Sequence, residues 1–357
     1  MKNPLRMLLK ASRLTRKSPV SAAFAMQRAL LSAVVKPRRG KSALAPAKRR
    51  ASVKSSGAVR PEPGSFADGQ FKNAQGRLAY KLYTPRGSSR RKLPLVVMLH
   101  GCKQSADDLA IGTGMNALAD ELGFLVLYPQ QSVRANLGRC WNWHRPGDQK
   151  RDGGEPALIA GLTRHILATC KANSARVYVA GISAGAAAAA IVASAYPDIY
   201  VAAGVHSGLA RGDITTLRAA VAAMRKGCGG DSAGRPARPP PTIVFHGDQD
   251  NVVHPANAGG FLRQLRRSGA NPVKGRTAPG RSVGGRDYTR TVYADSAGRV
   301  LLEDWVVHGS GHAWSGGNSA GSHTDPTGPD ASREMLRFFL ARKRTVARAA
   351  TRSVGKQ

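Results

Sequence analysis

Twenty residues near the middle of the chain leave few folds open. Arg176–Ala180 (RVYVA) is a short apolar run of strand-forming residues, Gly181-Ile182-Ser183-Ala184-Gly185 follows at once, and Ala184–Ala195 (AGAAAAAIVASA) has helix composition. A strand that turns directly into a helix through a serine flanked by small residues needs a tight turn, because larger neighbours would collide with the adjoining strand or helix. The serine then stands at a helix N-terminus, where free backbone N–H groups attract developing negative charge. A five-residue glycine–serine pattern alone arises by chance. Its position between strand and helix makes it informative.

The rest of the chain repeats the alternation. Leu93–Leu99 (LPLVVML) is continuously apolar, as expected of a strand covered on both faces. Phe124–Tyr128, Ala202–Val205, Thr242–Phe245 and Leu301–Val307 read the same way, and Gly76–Pro85 reads as a half-buried antiparallel strand. Helical stretches fall between them at Asp107–Glu121, Glu155–Cys170, Thr215–Lys226 and Asn257–Ser268, and Ala331–Leu340 closes the series. The predicted class is α/β, a mostly parallel central sheet with helices on both faces. Two stretches, Gly227–Pro241 and Arg276–Arg286, read as surface loops.

Charge sets the domain limits. The net charge of +34 is unevenly spread: residues 1–60 hold 16 Lys/Arg and residues 341–357 hold 6, with no Asp or Glu in either. Such runs repel themselves and bury little apolar surface, so residues 1–65 are expected to be a disordered leader and linker, 66–341 the catalytic domain, and 342–357 a disordered tail. The ends could serve solubility or draw the chain to an anionic surface; no specific nucleic-acid motif accompanies them. No stretch approaches the ~20 apolar residues of a membrane span. The N-terminus is broken by Arg6, Lys10, Arg13, Arg16 and Lys17, so no convincing signal peptide forms and a cytoplasmic location stays open. Cys102, Cys140, Cys170 and Cys228 lack metal-ligand spacing and allow three pairings if all are oxidised.

A serine hydroxyl is a weak nucleophile until a base takes its proton, and the base needs an orienting acid. In this architecture acid and base follow the serine in that order. Thr242–Phe245 runs into HGDQDNVV, which offers Asp248 and Asp250. Asp250 is the expected acid, because it lies farther past the strand, whereas Asp248 suits a turn that bonds local backbone. The last strand runs into HGSGHAW, where His312 is the expected base; His308 ends the strand and His323 lies in a polar loop. Ala184 and Cys102, the latter in the His100-Gly101-Cys102 turn, are the expected N–H donors to an oxyanion. Trp141 and Trp143 either wall a substrate pocket or anchor their loop, and Trp314 fixes the His312 loop.

Seven ordered segments, LHGCKQSADD, LYPQQ, CWNWH, VYVAGISAGAAAA, FHGDQDNVVHPANA, GSGHAWSGG and SHTDPTGPDASREMLRFF, resemble the polyhydroxybutyrate depolymerase family of esterases, which includes feruloyl and acetylxylan esterases. The resemblance spans roughly residues 66–341. It implies an α/β-hydrolase fold, no added metal or organic cofactor, a Ser183–Asp250–His312 triad, and Cys102 and Ala184 as oxyanion donors. It also implies an ester substrate, possibly polymeric, and an extracellular or periplasmic location. The chain differs from secreted members in its basic ends and in having no separate substrate-binding domain after the catalytic one. Peptide hydrolysis on the same residues, or a granule- or polyanion-binding role without catalysis, are the competing expectations.

Overall fold

Ten strands form one sheet in the order β1-β2-β4-β3-β5-β6-β7-β10-β9-β8 in this computed structural model. The structure describes residues 64–87, 91–212, 214, 216–227 and 238–344. Most of the basic leader and tail, Cys228, and most of the Gly227–Pro241 loop lie outside the described residues.

The strands are β1 (Ser65–Asn73), β2 (Gly76–Thr84), β3 (Leu93–Leu99), β4 (Leu125–Gln130), β5 (Ala172–Ile182), β6 (Ala202–His206), β7 (Thr242–Gly247), β8 (Val273–Arg281), β9 (Asp287–Ala294) and β10 (Val300–Val307). The six from β4 to β10 in the middle of that order are parallel. Antiparallel β1–β2 and β8–β9 extend the two edges. All seven residues of β3 are buried, and successive ones join different cores. Val96 and Met98 pack with α1 (Ala106–Thr113), α2 (Met115–Leu122) and α7 (Ala331–Leu340). Leu95, Val97 and Leu99 pack with α3 (Gly154–Thr169) and α4 (Ala184–Ala195) on the other face. Beside α4, α5 (Leu217–Lys226) packs through Ala220 and Ala223 with Ile191, and farther along that second face α6 (Gly259–Arg267) covers Val244 and Leu302 through Phe261 and Leu265. A strand covered on both faces needs apolar side chains pointing both ways, which is why its sequence runs continuously apolar.

Four details depart from the sequence reading. The helix expected over Asp107–Glu121 is two helices, because Gly114 adopts a left-handed conformation (φ 64°) that ends α1 and starts α2. Arg276–Arg286 is not a loop: its first half is the end of β8, which turns at Ser282–Arg286 into β9. β8 is exposed along nearly all its length, so it carries none of the apolar alternation by which strands are recognised. β1 begins at Ser65 and pairs residue for residue with β2. The tail starts later than expected, because Arg344 donates its backbone N–H to Ala175 O (2.8 Å) and its guanidinium to Ile199 O (2.6 Å). Among the described residues no helix is long and apolar enough to cross a membrane.

Candidate active site

Ser183 lies between β5 and α4 with φ 57° and ψ −123°, a conformation that L-residues avoid. The fold holds it there by close packing. A Cβ on Gly185 would fall 2.1 Å from Leu99 O, and one on Gly181 would fall 2.5 Å from the Gly185 backbone. Its N–H donates to His206 O at 2.9 Å, which ties the turn to β6. Ser183 remains half-buried at the start of a helix whose twelve residues are all buried.

Two strands farther on, the loop after β7 supplies Asp250 and the loop after β10 supplies His312. His312 Nδ1 and Asp250 Oδ2 are 2.7 Å apart. A carboxylate only accepts, so Nδ1 carries the proton and Nε2 presents its lone pair. The other carboxylate oxygen, Oδ1, accepts from the Val252 and Val253 amides, both at 2.9 Å. His246 Nε2, which donates to Val253 O (2.8 Å), lies 3.4 Å from Asp250 Oδ2. Burial works to raise the Asp250 carboxyl, but the bonds from His246 and His312 outweigh it and hold the acid well below the usual carboxylate range. It therefore stays ionised at neutral pH.

Behind this pair, His206 closes the gap to the serine strand. It stacks on Trp314 (5.0 Å between centroids) and accepts from Ser315 N at 2.9 Å. Burial, with His246 and His312 nearby, pushes its imidazole down to about 3, so it remains a neutral acceptor. Trp314 thus steadies the His312 loop as expected, through His206 and through a 3.0 Å bond from its Nε1 to Ser332.

The rival acid and base are also paired. His308 Nδ1 and Asp248 Oδ2 are 2.9 Å apart, and Asp248 Oδ1 accepts from Gly309 N at 2.7 Å. Asp248 thus bonds a distant loop rather than its own turn. His308 Nε2 bonds Thr289 of β9, so this pair leans away from β6 and Ser183.

On the other side of the serine, Cys102 and Cys140 form a disulfide. Sequence reasoning left that pairing open. Cys170 is a free thiol. Among the described residues neither the Cys102 nor the Ala184 amide donates to a protein acceptor. Gly101 N, by contrast, is engaged by Gln104 Oε1 at 2.9 Å. Trp141 is fully buried and donates from Nε1 to His100 O (3.1 Å), so it anchors its loop to the β3 turn. Trp143 packs against Ala184, Ala187 and Leu209 and lines a small pocket with Ile191, Arg211 and Ile214. His323 lies beside the His312 loop, its carbonyl accepting from Trp314 N, and burial with His312 nearby lowers its imidazole.

Sequence reasoning passed over His206, His246 and Glu155. His206 bonds Ser315, 109 residues on, and Glu155 bonds Asn142 in a separate loop, so no local pattern marks either; His246 lies only four residues from Asp250, but its role depends on how the loop after β7 folds back.

Residues 78–282 match a family model described as esterase PHB depolymerase. Over 253 residues the chain is 30% identical to poly(3-hydroxyalkanoate) depolymerase C of Paucimonas lemoignei, covering 68% of this chain and 60% of that protein. Over 240 residues it is 29% identical to feruloyl esterase B of Thermothelomyces thermophilus, covering 61% and 78%. Among solved structures, an acetyl xylan esterase from Aspergillus awamori aligns with a TM-score of 0.61 at 20% identity, covering 78% of this chain and 99% of that one, a likeness of fold.

Proposed function

The chain belongs to the esterase PHB depolymerase family, with the α/β-hydrolase fold, and on that premise we propose that it is a serine esterase acting on polyhydroxyalkanoate or its oligomers. The observation that carries the reading is the buried, ionised Asp250 held 2.7 Å from His312 on the loops after β7 and β10, in the same sheet whose β5 ends in the strained Ser183. His312 Nε2 takes the Ser183 proton as Oγ attacks the ester carbonyl, and Asp250 stabilises the imidazolium. The Ala184 and Cys102 amides, which have no protein acceptor among the described residues, hold the oxyanion. Protonated His312 then gives its proton to the leaving alcohol, and neutral His312 activates the water that cleaves the acyl-enzyme. Trp143, packed against Ala184 and Leu209, forms an apolar wall for the acyl chain. Trp141, fully buried and bonded to His100 O, anchors its loop rather than touching substrate.

The polyester reading follows the depolymerase of Paucimonas lemoignei, and the likeness to feruloyl esterase B supports a second, a feruloyl or acetyl ester on a polysaccharide. We assign the enzyme to the extracellular space or periplasm, with the basic ends drawing it to anionic surfaces. Ser183→Ala should lower p-nitrophenyl butyrate turnover by about a millionfold. Unchanged turnover by the purified variant would end the proposal. A panel of polyhydroxybutyrate, short p-nitrophenyl esters and methyl ferulate separates the two substrate readings.

A further inference from the structure

Glu155 opens α3 and makes no contact with Ser183, Asp250 or His312 among its hydrogen bonds, yet its carboxylate gathers three donors from two segments. Asn142 N donates to Oε2 at 2.7 Å, and Asn142 Nδ2 and Gln131 Nε2 donate to Oε1 at 2.6 and 2.5 Å. No lysine or arginine pairs with it among the described residues. Burial, with Asp148 close by, pushes its carboxyl up to about 7. The fold therefore keeps an acid where burial disfavours its charge, and geometry gives the reason. Above that value, where it is ionised, the carboxylate accepts at both oxygens and offers no hydrogen, so it takes three N–H donors without presenting one of its own.

Gln131 and Asn142 bracket the loop that carries Cys140. Inside it, Asn136 Nδ2 donates to Asn142 Oδ1 (3.1 Å), while Asn136 Oδ1 accepts from Gly138 N (2.9 Å) and Cys140 N (3.3 Å). Gly138 O accepts from Lys103 N at 2.7 Å, and Cys140 is bonded to Cys102. Gln131 N reaches the same turn from the other end, donating to His100 Nε2 at 3.0 Å. A continuous line thus runs from Glu155 through Asn142, Asn136 and Cys140 to Cys102. We propose that Glu155 is a positioning residue that sets the Cys102 amide against the oxyanion through this loop. The inference rests on the esterase reading and deepens it.

An oxyanion donor acts in the transition state and little in substrate binding, so its displacement lowers kcat and leaves KM nearly constant. In the full-length protein Glu155→Gln places an NH₂ against the Asn142 and Gln131 donors. It should lower kcat on p-nitrophenyl butyrate by roughly 10- to 100-fold, the range for a small displacement of a catalytic group, with KM changed less than about threefold. Affinity for butylboronic acid, which forms a tetrahedral adduct, should weaken by the same factor as kcat. Glu155→Asp should recover part of both. A merely structural role would lower thermal stability while kcat at 25 °C and boronate affinity stayed at wild-type values, and that result overturns the inference. Asn136→Ala, which leaves all three Glu155 donors in place, covers the case in which Glu155→Gln does not fold: the same kcat loss at constant KM is expected, and an unaltered kcat refutes the line. If Ser183→Ala leaves turnover intact, the esterase reading falls; if it abolishes turnover while Glu155→Gln and Asn136→Ala do nothing, only the positioning role falls.

Discussion

Two aspartate–histidine pairs of similar length lie on the same two loops of this molecule. Asp250–His312 spans 2.7 Å with side chains 0% and 11% exposed; Asp248–His308 spans 2.9 Å with side chains 33% and 43% exposed. The distances hardly differ, so a hydrogen bond does not by itself mark a catalytic pair. What differs is the surroundings. Asp250 is backed by two amides and His246, and His312 lies near His206, whose backbone carbonyl accepts from Ser183 N. Asp248 and His308 bind Gly309 and Thr289 at the outer side of β10. In water an ion pair contributes little, whereas a desolvated and fully bonded one fixes a tautomer and orients a base.

Replacing the acids one at a time puts the contrast at risk. Asp250→Asn should retain the fold and lower kcat on p-nitrophenyl butyrate by about 10,000-fold, because the amide no longer imposes the tautomer that leaves Nε2 free. Asp248→Asn and His308→Asn should keep kcat within about threefold and lower stability by about 1 kcal/mol, the usual contribution of one hydrogen bond. A 10,000-fold loss in Asp248→Asn would reverse the assignment of the two pairs.

Why the sequence separates these pairs only in part follows from how each is built. The strand before Ser183, the covered strands β3 and β7, and the glycine-flanked turn are local, and periodicity and small-residue spacing reveal them. The order serine, acid, base is also legible along the chain. The partners are not: Asp248 and His308 are 60 residues apart and Gln131 and His100 are 31 apart, and their meeting depends on the β7–β10 and β3–β4 neighbours in the sheet. The Cys102–Cys140 bond belongs to the same class, since it joins the turns after β3 and β4. β8 was illegible for the opposite reason. Its side chains face solvent, so neither face leaves an apolar trace.

The smallest expected effect tests the surroundings without catalysis. A carboxyl whose folded-state value is depressed adds stability that is present above its unfolded value and is lost as pH falls through the folded one. Asp250 is depressed well below its ordinary 3.8, so its contribution should be constant from pH 8 to about 4 and diminish only in stronger acid. The stability difference between wild type and Asp250→Asn, measured by chemical denaturation, should accordingly be flat over that range. Glu155 runs the other way: its folded value is raised from 4.5 to about 7, so the stability linked to it is full below pH 4.5 and is lost as pH rises through 7. The shift corresponds to about 3 kcal/mol, and Glu155→Gln should remove that slope. A wild-type minus Asp250→Asn difference that narrowed between pH 7 and 5 would mean that Asp250 takes up a proton there, which would erase the distinction drawn between the buried pair and the exposed one.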